Sequence, residues 1–207
     1  MDIYNDDTRG QLYRTKLTHD HMYLTPSSTM SVKLAVQVLS NSVAQVMRAY
    51  YGPEVSETAR LFGLVNRCFD CLNVRSLRES LFERKPDVAP YTSQNDPRFQ
   101  FLEDEFLEYF NQWLISLRYR PVYKKTEQNK IFVSYQTHED IIMTVKFFIE
   151  ATRYLLQQEV PYIFSNVFCR DSLEEHFGPY RGLETRHDNP TIHQLGYQEN
   201  QLQFRGA

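Results

Sequence analysis

Asn66, Asp70 and Asn73 lie four and three residues apart within Asn66-Arg67-Cys68-Phe69-Asp70-Cys71-Leu72-Asn73. On a helix that spacing makes one polar row. An ionised Asp only accepts hydrogen bonds, whereas Asn both donates and accepts. Guanine presents two N–H donors and one carbonyl on its Watson–Crick edge, so an Asp/Asn pair can read it. Adenine lacks the N1–H and would leave the carboxylate unpaired. The same row also describes an ordinary polar helix edge, and the residue types alone leave both readings open.

A second chemistry-bearing pair is Asp171 and Glu174, three apart where Asp171-Ser172-Leu173-Glu174-Glu175-His176-Phe177-Gly178 opens a helix. The pair fits a cap with its reciprocal acid, or a metal-binding carboxylate. Two-Mg²⁺ phosphodiester chemistry needs several carboxylates converging from different elements, and one acid on one helix cannot hold two ions. Cys68 and Cys71 form a lone C-x-x-C inside a helical pattern, with no second pair to complete a zinc site, so buried packing is expected. His19 and His21 lack a third ligand nearby and read as surface residues.

These residues are carried by a chain whose pattern is mainly helical. From Val55 to about Leu77, the residues Val55, Ala59, Phe62, Val65, Phe69 and Leu72 make an apolar stripe beside the polar row, so the row is expected at the edge of a core. Upstream, Val32, Val36, Leu39, Val43, Val46 and Tyr50 alternate steps of four and three, predicting one helix after Pro26-Ser27-Ser28-Thr29 that packs within a domain and ends at Gly52-Pro53. Glu54 and Glu57 suit the positive start of the next helix. Residues 83–98 carry three X-Pro steps and read as a connecting loop. A helix then buries Phe99, Leu102, Phe106, Phe110, Trp113 and Leu117 until Pro121 stops it. Ile131–Tyr135 fits either a buried strand or a helix entry, and Thr137-x-x-Asp140 reads as the start of a helix burying Ile142, Val145, Phe148, Ile149, Thr152 and Leu156. Residues 182–207 are polar and without period.

The 207 residues are 42% hydrophobic and 24% charged, with seven Gly and nine Pro, which is globular composition. A net charge of −3 gives no overall basic footprint. The local basic stretch Arg118, Arg120, Lys124, Lys125 and Lys130 reads as a solvated face or loop. Three Cys, an odd number, fit a reducing compartment. No signal-peptide layout opens the chain, and no apolar run is long enough to span a bilayer.

Several stretches in order resemble P-element-type transposases, the group that carries an N-terminal THAP zinc domain. Lys16-Leu17-Thr18, the run from Met30 to Ser40, and Phe69-Asp70-Cys71-Leu72-Asn73 resemble their GTP-binding insertion domain. Phe132-x-Ser134-Tyr135-Gln136-Thr137, Arg170-Asp171-x-Leu173-Glu174-x-x-Phe177-Gly178-x-x-Arg181 and Asp188-Asn189-Pro190-Thr191 resemble the closing part of their split RNase H-like catalytic domain. The resemblance implies a helical insertion domain over 1–125 and a C-terminal RNase H-like segment over 126–207. It implies that Lys16, Val32 and Ser40 line the nucleotide, that Phe69 packs on the base, that Asp70 and Asn73 read guanine, and that Asp171 reaches the nucleotide. Glu174 would be the last acid of a DDE triad and a Mg²⁺ ligand. GTP would organise a complex with DNA in the nucleus without being hydrolysed, and the chain could associate with itself or with a fuller transposase. The two other catalytic Asp belong to a part of the fold not found in this sequence, so the expected entity is a fragment or a domesticated derivative, inactive in strand transfer alone. Ser31 stands where the family has Lys, removing a charge near the triphosphate, and Arg170 stands in place of Gln. The alternative expectation is a helical interaction module that no longer binds nucleotide.

Overall fold

The computed structural model describes residues 3, 15–26, 28–83, 85–119 and 131–169. Backbone packing divides the chain into two units, Met1–Ser165 and Asn166–Ala207. In the second, the described part is a short turn in which the Cys169 N–H donates to the Asn166 carbonyl at 3.0 Å. Among its described residues the first is mainly helical, and an isolated antiparallel bridge joins Tyr91 and Ile163.

Helix α1 (His19–Met22) is a single turn. The Thr18 N–H donates to His21 Nδ1 at 2.9 Å, and His21 Nε2 meets Gln37 Oε1 at 3.0 Å. Both ring nitrogens are thus engaged, one by the backbone and one by the Gln37 side chain. His21 is therefore buried, not on the surface as its sequence context suggests. It ties the Lys16 segment to α2 (Val32–Val38).

The single helix expected through Tyr50 is two helices, α2 and α3 (Asn41–Tyr50). Ser40 is extended (φ −86, ψ 154) and its hydroxyl accepts from the Val43 N–H. A Ser that caps a new helix does not continue the old one, and the heptad seam breaks there. Val43 and Val46 are buried, whereas Val32 and Tyr50 at its ends are exposed. Gly52, at φ 75, makes the turn out of α3, a conformation that costs other residues strain.

Helix α4 (Ser56–Leu72) packs along α3 around Val43, Ala44, Met47 and Ala59, with Leu17, Val55 and Phe62 completing the cluster. It ends at Leu72, five residues before the expected limit, and Val74 beyond it is fully buried with its N–H donating to Ser165 Oγ at 2.7 Å. The expected stripe is fully buried at Ala59 and half-buried at Val65, Phe69 and Leu72; in the second half of α4 the deepest row is Leu64, Cys68 and Cys71 beside it. Both thiols are free and buried, in keeping with the packing expectation. Burial, reinforced by the Asp87 charge, pushes the Cys71 thiol up to about 12, and burial beside Cys71 raises Cys68 as well.

After α5 (Leu77–Glu83), the proline-rich connection is part of the core. Val88, Tyr91 and Arg98 are buried there. Arg98 donates to the carbonyls of Asp87, Ala89 and Pro90, pairs with Asp96 at 2.7 Å and lies 3.6 Å from the Tyr91 ring centroid. Those partners satisfy the guanidinium donors that burial would otherwise leave costly. Asp96 also caps α6 (Pro97–Gln100), accepting from the Arg98 N–H.

Helix α6 runs on through a π-helical segment (Phe101–Leu107) into α7 (Glu108–Arg118). The wider turn of the π segment lets Phe101, Leu102, Phe106 and Leu107 all turn inward, while Glu103, Asp104 and Glu105 face solvent. The last long helix, α8 (Tyr135–Gln157), starts at Ser134, whose hydroxyl accepts from the Thr137 N–H at 3.0 Å. Its cap is thus three residues earlier than Thr137-x-x-Asp140 suggests, and residues 131–135 are a helix entry, not a strand. Its expected face is borne out: Val145, Phe148, Ile149 and Thr152 are buried, and Phe148 sits edge-on to Tyr91 and Phe99.

Candidate functional site

The polar row on α4 is a connected network. The Asn41 N–H, in the first turn of α3, donates to Asn66 Oδ1 at 3.1 Å. Asn66 Nδ2 donates to Asp70 Oδ2 at 3.0 Å, and Lys85 Nζ lies 3.5 Å from the same oxygen. One side chain thus joins the start of α3, capped by Ser40, to the acid one turn down α4. The Asp70 side chain is 19% exposed, held at the edge of the core as its helical register requires. Asn73 is the C-cap of α4; its Oδ1 accepts from Arg75 Nε at 3.1 Å, and its Nδ2 donors have no partner among the described residues. Phe69 is half-buried on the next turn-face.

The other expected contacts are less gathered. Lys16 is exposed, but its segment is held against α2 through His21 and Gln37 and against the α3/α4 cluster through Leu17. Val32, at 66% exposure, stands on the surface. Ser31 caps α2 by accepting from the Leu34 N–H, so its hydroxyl has a structural duty where a Lys would leave a cation. Asp171 and Glu174 lie outside the described residues, as does most of the basic stretch, 120–130. Lys85 is the partner that sequence reasoning missed. It precedes a Pro in the connecting stretch, and its proximity to Asp70 exists only because the chain turns back after α5.

A purine whose edge carries two N–H donors and a carbonyl requires an oriented acceptor acid and an amide donor. Asp70 is oriented by Asn66 and Lys85, and three residues on Asn73 keeps its Nδ2 without a partner among the described residues while its Oδ1 accepts from Arg75. These donor and acceptor types fit a guanine base. Among the described residues, no three His, Cys, Asp or Glu converge to hold a metal ion, and no helix is long and apolar enough to cross a membrane.

A separate cleft of about 520 Å³ opens between the first turns of α4 and the π segment with α7. Asp70 does not line it. It had no signature in the sequence, because its two walls are some fifty residues apart.

Comparison with known proteins gives two findings. The family profile described as the TNP-like, GTP-binding insertion domain matches residues 3–85. The solved Drosophila P element transposase strand transfer complex is similar in structure, with 25% sequence identity and a TM-score of 0.55 over 88% of this chain. This chain spans 39% of that transposase chain. No curated protein sequence matches. Together the two findings support a P-element-type transposase relationship and a transposase-like GTP-binding insertion domain within the stretch that holds the polar row.

Proposed function

We propose, starting from that relationship, that this chain is a P-element-like transposase fragment or a derivative of one, and that it binds guanine nucleotide. The observation that carries the reading is Asp70: an acid on a helix edge, four-fifths buried and held by Asn66, inside the residues matched by the GTP-binding insertion domain. Asp70 would accept from the N–H groups of guanine and Asn73 would donate to its carbonyl. Phe69 would pack on the base, Val32 would line the nucleotide, Lys16 and Ser40 would lie near phosphate or ribose, and Asp171 would reach the nucleotide.

In the same reading the bound GTP supplies charge and rigidity that organise a DNA transposition complex in the nucleus, alongside a fuller transposase or a second copy of this chain. Residues 1–125 correspond to the insertion domain and 126–207 to the closing segment of the RNase H-like domain. Glu174 would be one acid of a DDE triad, and strand transfer with Mg²⁺ would require two further Asp from the other half of that domain.

A ligand that binds only the folded state stabilises it by about 2.7 kcal/mol at a hundredfold excess over its dissociation constant. GTP is therefore expected to raise the melting temperature, ATP is not, and Asp70→Ala removes the GTP effect. An equal shift with ATP would overturn the guanine reading.

One observation favours the alternative. The Asp70 carboxylate already accepts from Asn66 and pairs with Lys85, which is what a purely structural helix edge requires. A helical interaction module that has lost nucleotide binding would show no shift with any nucleotide, and Asp70→Ala would change its stability by no more than about half a kcal/mol.

A further inference from the structure

Among the described residues, the cleft between α4 and α7 is lined by four carboxylates, Glu57, Asp104, Glu105 and Glu108, and by one cation, Arg60; Glu105 also lies 3.9 Å from Arg67, which is outside the lining. Tyr109 and Trp113, one helical turn apart on α7 with ring centroids 6.4 Å apart, form its aromatic wall. The groove already holds one guanidinium. Arg60 lies 5.3 Å from the Tyr109 ring centroid and 3.8 Å from the Glu57 carboxylate, and the Tyr109 hydroxyl donates to the Glu57 carbonyl at 3.2 Å, fixing the ring. Farther along the same wall, Asp104 and Glu108 are exposed, and Trp113 on the following turns is half-buried. An acid beside a fixed aromatic face is the arrangement that recognises a planar cation, through charge and through the ring quadrupole. A volume of about 520 Å³ accommodates one or two long side chains.

We propose that this groove is a docking site for an arginine-bearing basic segment of a partner polypeptide, with one arginine stacked on Trp113 and paired with Asp104 and Glu108. This site is separate from the Asp70 row and does not rest on nucleotide binding. Arginine is favoured over lysine because its planar head stacks and pairs at once. The exposed carboxylates of Asp104 and Glu108 draw basic segments in and make binding salt-sensitive.

The test uses the full chain and a short peptide with arginine at alternate positions. Trp113, the sole tryptophan, reports binding by its fluorescence, and anisotropy of the labelled peptide reports it independently. A saturable change is expected, weaker for the lysine peptide and absent for the citrulline peptide. The exposed double substitution Asp104→Asn with Glu108→Gln should weaken binding about tenfold at an unchanged melting temperature, and Trp113→Leu should weaken it by anisotropy. The proposal is overturned if the citrulline peptide binds equally or if the substitutions leave affinity unchanged. It is also overturned if spermidine binds as tightly as the peptide, or if sedimentation shows a self-associated chain that the double substitution dissociates.

Discussion

At the scale of single residues, two charged pairs with similar chemistry have different consequences. Asp70 with Lys85 sits at a half-open edge, so solvent screens the attraction and the pair contributes little to stability. Asp70→Asn is expected to change the unfolding free energy measured in urea by no more than about 1 kcal/mol while eliminating the GTP-dependent rise in melting temperature. Arg98 with Asp96 is buried, and Arg98→Met strands a carboxylate and three carbonyls. A loss of about 3–5 kcal/mol is expected in denaturant unfolding. Burial tends to raise the Asp96 carboxyl, but hydrogen bonds and charge from Arg98 outweigh it and hold the group below the usual carboxylate range. The stability it contributes is therefore complete above that range and is lost as pH falls through the lowered value. Acid titration of the Arg98→Met chain should show a shallower loss over that window than the parent. Thiols follow burial in the same way: with Cys71 pushed up to about 12 and Cys68 also raised, both should resist alkylation near neutral pH until the chain unfolds. Prompt labelling of either in the folded chain would contradict their placement in the core.

At the scale of elements, serine hydroxyls decide where helices begin. Ser40 starts α3 and Ser134 starts α8, each accepting from the N–H three residues on. Ser40→Ala and Ser134→Ala are each expected to cost about 1 kcal/mol, and Ser40→Ala should also loosen the Asn41 to Asn66 contact that orients Asp70. Gly52→Ala should cost a further ~1 kcal/mol through its positive φ, with no neighbour close enough to clash. Apolar periodicity announced α4, α7 and α8 well, because a buried stripe leaves a repeat in the chain. It failed between Leu39 and Ser40, where the repeat continues across a break made by one hydroxyl. It also missed the π segment, since one extra residue per turn shifts which side chains face inward without changing their types.

At the scale of the whole molecule, packing of the described residues joins stretches that the resemblance assigns to different domains. Phe148 of α8 closes the aromatic cluster of Tyr91 and Phe99, and Ile163 pairs with Tyr91. A chain ending at residue 125 is expected to bind a hydrophobic dye and melt without a sharp transition, whereas one ending at Ser165 should unfold cooperatively. A cooperative melt from the shorter chain would mean that the insertion domain folds without α8.

What the sequence settled by itself was helical class, the core face of α8 and the polar row of Asn66, Asp70 and Asn73, because each is a local consequence of helical spacing. Tertiary structure alone decided that Lys85 returns to Asp70, that Asn41 reaches Asn66, that His21 is buried, and that acids from α4 and α7 share a groove around Trp113. Those contacts join residues far apart in the chain. Their geometry depends on how helices cross, and no repeat in the sequence encodes a crossing.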